Sequence, residues 1–239
     1  MKIRQIILVI ILAVLTSCNY MDKQTNSQSQ KDSIADNHTN NVVADNKTTF
    51  DIDFEFKVIV GQEEDFKNFK TYTYFELMRE NKTIYVDSSL TEYEFGDKLY
   101  PIVLQTGENS FELLFEINDR PNKNFLKRLF IQNNKIVKQD KLPTFISKPT
   151  DINKDGIKEY AGFWDYSEPW GDNSLTAYNP ILYYILTETG LQLDSLLTKE
   201  RNENIYGQFY GFSYNENNEQ PISVIDKFDE EIKLITNGQ

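Results

Sequence analysis

One short stretch of the chain, residues 151–159, has the residue types and spacing that bind a hard cation. Its oxygen-bearing side chains are Asp151, Asn153, Asp155 and Glu159. In such a loop alternate side chains point inward, Gly156 permits the positive φ of a sharp turn, and the carbonyl of Ile157 adds a further oxygen. A ligand set made only of oxygen favours calcium, because zinc and copper prefer nitrogen and sulfur.

The spacing separates this loop from an EF-hand. An EF-hand loop also begins D-x-N-x-D-G, but it needs a bidentate Glu at its twelfth position, where this chain has Gly162. Residues 160–164, Tyr-Ala-Gly-Phe-Trp, are instead typical of a strand. The alternative is an Asp/Asn/Gly turn that only joins two strands. We expect calcium, since a turn does not require four spaced ligands.

A calcium loop that runs directly into a strand, closed by Glu159, resembles the calcium loops of integrin-like FG-GAP repeats. It also resembles a family of small bacterial lipoproteins related to periplasmic lysozyme inhibitors. The second resemblance covers roughly residues 150–197, including Tyr183-Tyr184 and Thr189-Gly190. It implies an eight-stranded or similar β-fold with calcium in one loop. The inhibitors insert a Ser-Gly-x-x-Tyr loop into lysozyme; this chain has no such loop, so the resemblance does not extend to lysozyme inhibition.

The first 17 residues predict a lipoprotein signal peptide. Lys2 and Arg4 precede an unbroken apolar run at residues 6–15, about half the ~20 residues that span a bilayer. Leu-Thr-Ser-Cys then resembles the bacterial lipobox, which implies that Cys18 is acylated and becomes the mature N-terminus. Since stable anchoring takes more than one acyl chain, we expect a membrane attachment through acyl chains on Cys18 alone. The expected location is the bacterial cell envelope, at the outer membrane.

Residues 18–49 predict a flexible, lipidated tether, because their polar composition offers little apolar surface to bury. The rest of the chain, residues 50–239, is long enough for one domain with a substantial core. The full chain has a net charge of −12. Such a charge repels phosphate backbones, so we expect no nucleic-acid partner.

Short alternating segments with turn residues about every ten positions predict an all-β domain, either a single antiparallel β-sandwich or a barrel-like meander. Residues 50–58 alternate strictly between apolar and charged, which predicts one half-solvated strand. Residues 181–186 and 191–197 predict a hairpin, and residues 205–214 a strand. Residues 228–235 fit either a helix or a strand. The motif D-x-N-x-D-G occurs once, which argues against a propeller.

The long connection after the predicted calcium loop is rich in aromatic residues. We predict a ligand-binding surface formed by Trp164, Tyr166, Trp170 and Tyr178. Exposed aromatic rings on a loop stack on sugars or anchor a protein partner, and the alternative is that they pack beneath the loop as core.

Catalytic chemistry has few available residues. The single histidine, His38, lies in the tether and the single cysteine is the lipidation site, which excludes Ser-His, Cys-His and histidine-based zinc sites. We therefore predict a non-enzymatic envelope lipoprotein whose calcium-stabilised β-domain binds a protein or glycan ligand, as an inhibitor or immunity factor. The alternative is a carboxylate-dependent hydrolase that uses Asp165 with Glu168 or Asp172.

Overall fold

A computed structural model of the protein describes residues 46–66, 69–95, 99–166, 169–170, 175–213 and 225–237. The first nine strands are β1 (Thr48–Asp51), β2 (Phe56–Phe66), β3 (Phe69–Arg79), β4 (Lys82–Asp87), β5 (Tyr93–Glu94), β6 (Ile102–Gly107), β7 (Ser110–Ile117), β8 (Phe125–Gln132) and β9 (Lys135–Pro143). The later elements are β10 (Glu159–Gly162), β11 (Pro169–Trp170), β12 (Leu175–Thr176), β13 (Leu182–Thr187), β14 (Gly190–Leu193), α1 (Ser195–Tyr206) and α2 (Ile225–Asn237).

The first nine strands form one large antiparallel sheet. Its strand order is β1-β2-β3-β5-β7-β8-β9, with β4 paired to β3 and β6 paired to β7. The sheet is curled: the ring centroids of Phe56 in β2 and Phe111 in β7 are 5.2 Å apart, although β3 and β5 lie between these strands. In the described part of the chain it does not close into a barrel. The predicted all-β class, with antiparallel pairing, is confirmed.

Residues 50–58 form two strands, so the prediction of one continuous strand there was wrong. β1 and β2 pair with Phe50 opposite Val58, and Phe54 and Glu55 turn the chain at positive φ. The amide of Ile52 donates to the Phe56 carbonyl across this turn, at 2.9 Å. Alternation could not reveal the turn, because both strands place their apolar residues on the same face of the sheet.

Aromatic rings fill the inner face of the large sheet. Phe75 stacks on Tyr93 with ring centroids 4.3 Å apart and meets the edge of Phe115 at 4.8 Å. All three side chains are buried. Such rings each remove a large apolar surface from water, so this cluster contributes strongly to the stability of the large sheet.

The second sheet is small, with order β10-β13-β14, and it covers the outer face of β7–β9. Arg128 links the two sheets, because its guanidinium donates to Glu112 at 3.0 Å and to the Leu191 carbonyl at 2.7 Å. Gly190 begins β14 at φ 109°, and a Cβ there would meet the Glu112 carboxylate at 1.7 Å. Strands β7 and β8 are therefore covered on both faces, as in a sandwich.

Two helices follow the small sheet, and sequence reasoning missed the first. Asp194 caps α1, accepting from the Leu197 amide at 2.9 Å, and Gly207 ends it at φ 77°. The predicted hairpin is present as β13 and β14, but its second strand is shorter than predicted, since β14 ends at Leu193 and α1 follows it. The strand predicted over residues 205–214 was wrong, because α1 runs to Tyr206 and no strand follows it in the described residues up to 213.

The ambiguous segment at residues 228–235 is helical and belongs to α2. Phe228 and Ile235 are buried against the small sheet, two helical turns apart. Among the described residues, no helix combines the length and apolar character that a bilayer crossing requires. The predicted signal peptide, Cys18 and nearly all of the predicted tether lie outside the described residues.

Candidate metal centre

The predicted calcium loop is closed at its base by backbone pairing. Thr150 and Glu159 form an isolated antiparallel bridge, with reciprocal N–H to carbonyl hydrogen bonds of 3.0 and 2.9 Å. Ile152 is buried in the core under the small sheet and holds the loop to the domain. The loop is therefore an extension of β10 with a fixed entry and exit.

The structure brings the three predicted carboxylates together. Ligand oxygens of Asp151, Asp155 and Glu159 all lie within 4.8 Å of one another. The amide side chain of Asn153 lies beside them, and its Nδ2 donates to Asp155 Oδ2 at 2.9 Å. Four of the five predicted ligand residues are thus clustered by their side chains.

Loop amides orient these carboxylates. Asp151 accepts from the amides of Asp155 at 3.1 Å and Gly156 at 3.0 Å, and Asp155 accepts from the Ile157 amide at 2.8 Å. The turn that allows this has positive φ at Lys154 (64°) and at Gly156 (90°). These bonds keep the acidic side chains on the inside of the loop.

Glu159 is the least exposed member of the cluster, with 1% of its surface accessible. Its Oε2 accepts from the Ile152 amide at 2.8 Å, whereas its buried Oε1 has no hydrogen-bond partner. Burial raises the pKa of Glu159, the Ile152 amide opposes that rise, and the carboxylates of Asp155 and Asp151 add to it. A buried carboxylate oxygen without a donor costs about 1–3 kcal/mol or more, and a bound cation would remove that cost.

The donor set therefore fits calcium. Three carboxylates and one amide oxygen supply hard ligands with three negative charges, and no nitrogen or sulfur ligand is among them. The Ile157 carbonyl remains a predicted ligand; its side chain is 48% exposed and takes no part in the cluster.

Sequence reasoning missed Asp194, which raises the pKa of Glu159 further through its charge. This residue caps α1, so the helix begins close to the metal loop. Asp194, followed by Ser-Leu-Leu, is of a residue type that commonly caps a helix. Because it is far from Glu159 in the chain, the sequence gave no reason to connect the two residues.

The four predicted ligand-binding aromatic residues do not share one environment. Tyr178 is fully buried and donates its hydroxyl to the Gly211 carbonyl at 2.6 Å, so its assignment to a ligand surface was wrong. Trp164 is half-buried against the core between the sheets, and Tyr166 is 52% exposed. Trp170 lies in β11, and its side chain is outside the described part of the structure.

The carboxylates of the alternative hydrolase are only partly described. Asp165 accepts from the Tyr166 amide at 2.7 Å through its Oδ1. Glu168 and Asp172 lie outside the described residues. The carboxylate pair therefore stays a prediction from the sequence.

Comparisons of the chain with protein-family models, with curated proteins and with solved structures found no match.

Proposed function

We propose that this chain is an acylated lipoprotein of the bacterial cell envelope whose β-domain is held together by calcium and binds a protein or glycan ligand. The observation that carries the calcium assignment is the unpartnered Oε1 of buried Glu159, beside the carboxylates of Asp151 and Asp155. The lipid assignment is supported by the sequence around Cys18.

Calcium would act on the fold through the position of its ligands. Glu159 is the first residue of β10, and Ile152, inside the same loop, packs in the core with α1 and α2. Asp151, Asn153, Asp155 and Glu159 would hold the ion. Its charge offsets the mutual repulsion of three carboxylates, so binding stabilises the loop and the start of β10 together.

Titration calorimetry on the mature chain in detergent tests the metal assignment. We expect one calcium to bind with Kd on the order of 0.1–1 mM, the range of extracellular calcium modules. Glu159→Gln keeps the hydrogen bond from the Ile152 amide but removes a charge, so binding should weaken by about tenfold. Exposed Glu188→Gln, far along the chain, is the control. Absence of calcium binding by the wild-type chain would overturn the assignment.

Metabolic labelling with a clickable palmitate analogue tests the lipid assignment separately. The wild-type chain should be labelled and Cys18→Ser should not. Equal labelling of both chains would show that the acyl group is elsewhere.

A further inference from the structure

One half-buried lysine, away from the metal loop, is held by a hydroxyl and an aromatic ring. Lys123 lies in the loop before β8, and its ammonium donates to the hydroxyl of Thr144, just after β9. The ammonium also lies 4.5 Å from the ring centroid of Phe163, which follows β10. Lys123 makes no ion pair with any residue that the structure describes. Its charge has therefore lost part of its water without gaining a carboxylate partner.

The same lysine lines a small cavity with a volume of about 260 Å³. Phe125 and Trp164 give this cavity aromatic walls. Its remaining lining residues are polar or charged: Asp119, Asn122, Lys141 and Asp165. Because charges of both signs are present, the lining does not select a ligand by charge. The volume is just below the roughly 300–1,000 Å³ of ordinary ligand sites, so a molecule that reaches Lys123 here must be small.

These surroundings favour the neutral amine of Lys123. Burial lowers the pKa of Lys123 to about 8, although the charges of Glu116 and Asp165 act in the opposite direction. The other charged groups that face it are Asp119 and Lys141, which share its cavity. At pH 7 a lysine of this pKa is about 9% neutral, compared with roughly 0.04% for an ordinary lysine of pKa about 10.4.

We infer that Lys123 is a nucleophilic amine that captures a small aldehyde as an imine in this cavity. The nitrogen lone pair attacks the carbonyl carbon, a proton passes from nitrogen to the carbonyl oxygen through water, and loss of one water molecule leaves the C=N bond. The step needs no oxidant or reductant. A lysine that has lost its water in an apolar pocket is the group that proteins use for this chemistry.

An aldehyde is the carbonyl class that suits the site best. Its carbonyl carbon is the least hindered, which matters in a cavity of about 260 Å³. Its oxygen leaves as water, so the ligand needs no other leaving group. This activity is independent of both the metal loop and the lipid anchor, and a failure of calcium binding would leave it standing.

Reductive trapping tests the inference. The wild-type chain is incubated at pH 7 with propionaldehyde and cyanoborohydride, and mass spectrometry of its peptides locates each propylated lysine. Lys123 should be labelled at least about tenfold faster than two exposed lysines, Lys141 of the same cavity and Lys135 at the other end of β9. Equal rates at the three positions, or protection of Lys123, would overturn the inference.

The pH dependence of labelling gives a readout specific to Lys123. A group whose pKa is about 8 becomes neutral as pH rises through that value, so the labelling rate of Lys123 should level off by about pH 9. The rate at an ordinary exposed lysine keeps rising until about pH 10.4. A Lys123 rate that rises in parallel with that of the exposed lysines would contradict the inference.

Asp165→Asn changes the charge beside Lys123 with little change of shape. Asparagine keeps an oxygen acceptor for the Tyr166 amide but removes a charge that favours the ammonium. The midpoint of Lys123 labelling should move to lower pH, and the rate at pH 7 should rise about two- to threefold. Exposed Glu188→Gln is the control and should change neither value. An unmoved midpoint in Asp165→Asn would show that the cavity does not control the amine.

Lys123→Arg completes the set, because arginine keeps the positive charge and cannot be deprotonated in a protein. The fast-labelled position should disappear in this variant, while the other lysines keep their rates. A fast-labelled lysine that persists would show that the reactive amine lies elsewhere and that the assignment to Lys123 is wrong.

Discussion

The large sheet and the small sheet of this domain both pack on apolar cores, but the small sheet depends in addition on polar side chains from a helix. In the large sheet, rings such as Phe75, Tyr93 and Phe115 form a continuous apolar cluster on its inner face. In the small sheet, strand backbone groups are completed by polar side chains from a helix. The first type of packing depends on apolar area, and the second depends on particular hydrogen-bond partners.

Helix α1 continues the small sheet where β14 ends. β14 pairs with β13 only from Tyr184 onward. Before that point, the Tyr183 amide donates to the Thr198 hydroxyl at 3.1 Å, and the Ile181 amide donates to Asn202 Oδ1 at 3.0 Å. Asn202 Nδ2 returns a hydrogen bond to the Ile181 carbonyl at 2.8 Å. The side chains of Thr198 and Asn202 thus make the hydrogen bonds to this segment that a neighbouring strand would otherwise make.

A second polar contact joins the two helices. Arg201 of α1 donates to Glu231 of α2, and Glu231 also accepts from the Tyr183 hydroxyl at 2.6 Å. These contacts make the small sheet depend on charge and hydrogen-bond partners as well as on apolar packing. A single substitution of one of these polar residues should lower the free energy of unfolding by more than the apolar area it removes would predict.

The largest expected effect is in the large sheet. Phe75→Ala would leave a cavity between Tyr93 and Phe115, so we expect the free energy of unfolding to fall by about 3–5 kcal/mol. Urea unfolding measures this. Calcium should not change the size of the loss, because the cavity is in the other half of the domain. Loss of less than about 1 kcal/mol would contradict the assigned role of this ring cluster.

A somewhat smaller loss of stability is expected from a polar substitution beside the small sheet. Asn202→Ala removes little apolar area but leaves the buried amide and carbonyl of Ile181 without partners, so we expect a loss of about 2–4 kcal/mol. Asn204→Ala, an exposed position on the same helix, is the matched control and should cost under about 0.5 kcal/mol. Similar stability of both variants in urea would show that α1 is not needed to complete β13.

Asp87 offers a pH-dependent test within the large sheet. Burial would raise its pKa, but hydrogen bonds from Lys127, Ser89 and Tyr93 outweigh burial and hold the pKa well below its usual value. Asp87 therefore stabilises the fold above the unfolded-state pKa of about 4, and this contribution is lost as pH falls towards the folded-state pKa.

Unfolding at a series of pH values measures that contribution. Asp87→Asn should be less stable than wild type by about 2 kcal/mol near neutral pH, and the difference should shrink below pH ~4. Asp51→Asn breaks an exposed ion pair with Lys57 and should change stability by under about 1 kcal/mol at every pH. A constant difference between wild type and Asp87→Asn would contradict the charged role of Asp87.

The sequence predicts the parts of this domain that depend on local pattern. Two hairpins turn at Glu80-Asn81 and at Asn133-Asn134, polar residues that stand between alternating segments, and all four have positive φ. The loop at residues 151–159 could be singled out because its candidate ligand residues are close together in the chain. Local spacing was enough to place three carboxylates within 4.8 Å.

The parts that the sequence did not reveal depend on distant contacts. Asn202 and Thr198 are ordinary polar residues of a helix until β13 is placed beside them. Lys123 and Lys141, 18 residues apart in the chain, line the same cavity because β8 and β9 pair. Tyr178 was assigned to a surface because it lies in a loop, but its ring packs on Tyr206 in the core.

Thermal unfolding with and without calcium tests the central claim, that the loop at residues 151–159 holds a stabilising calcium ion. At ~1 mM calcium and a Kd of ~0.1 mM, linkage gives about 1.4 kcal/mol, which raises the melting temperature by about 2–4 °C. Asp155→Ala should abolish the shift, and magnesium should produce much less of it, because it demands tighter octahedral geometry. An unchanged melting curve of the wild-type chain after chelation and after calcium addition would contradict the claim and leave the loop as a turn.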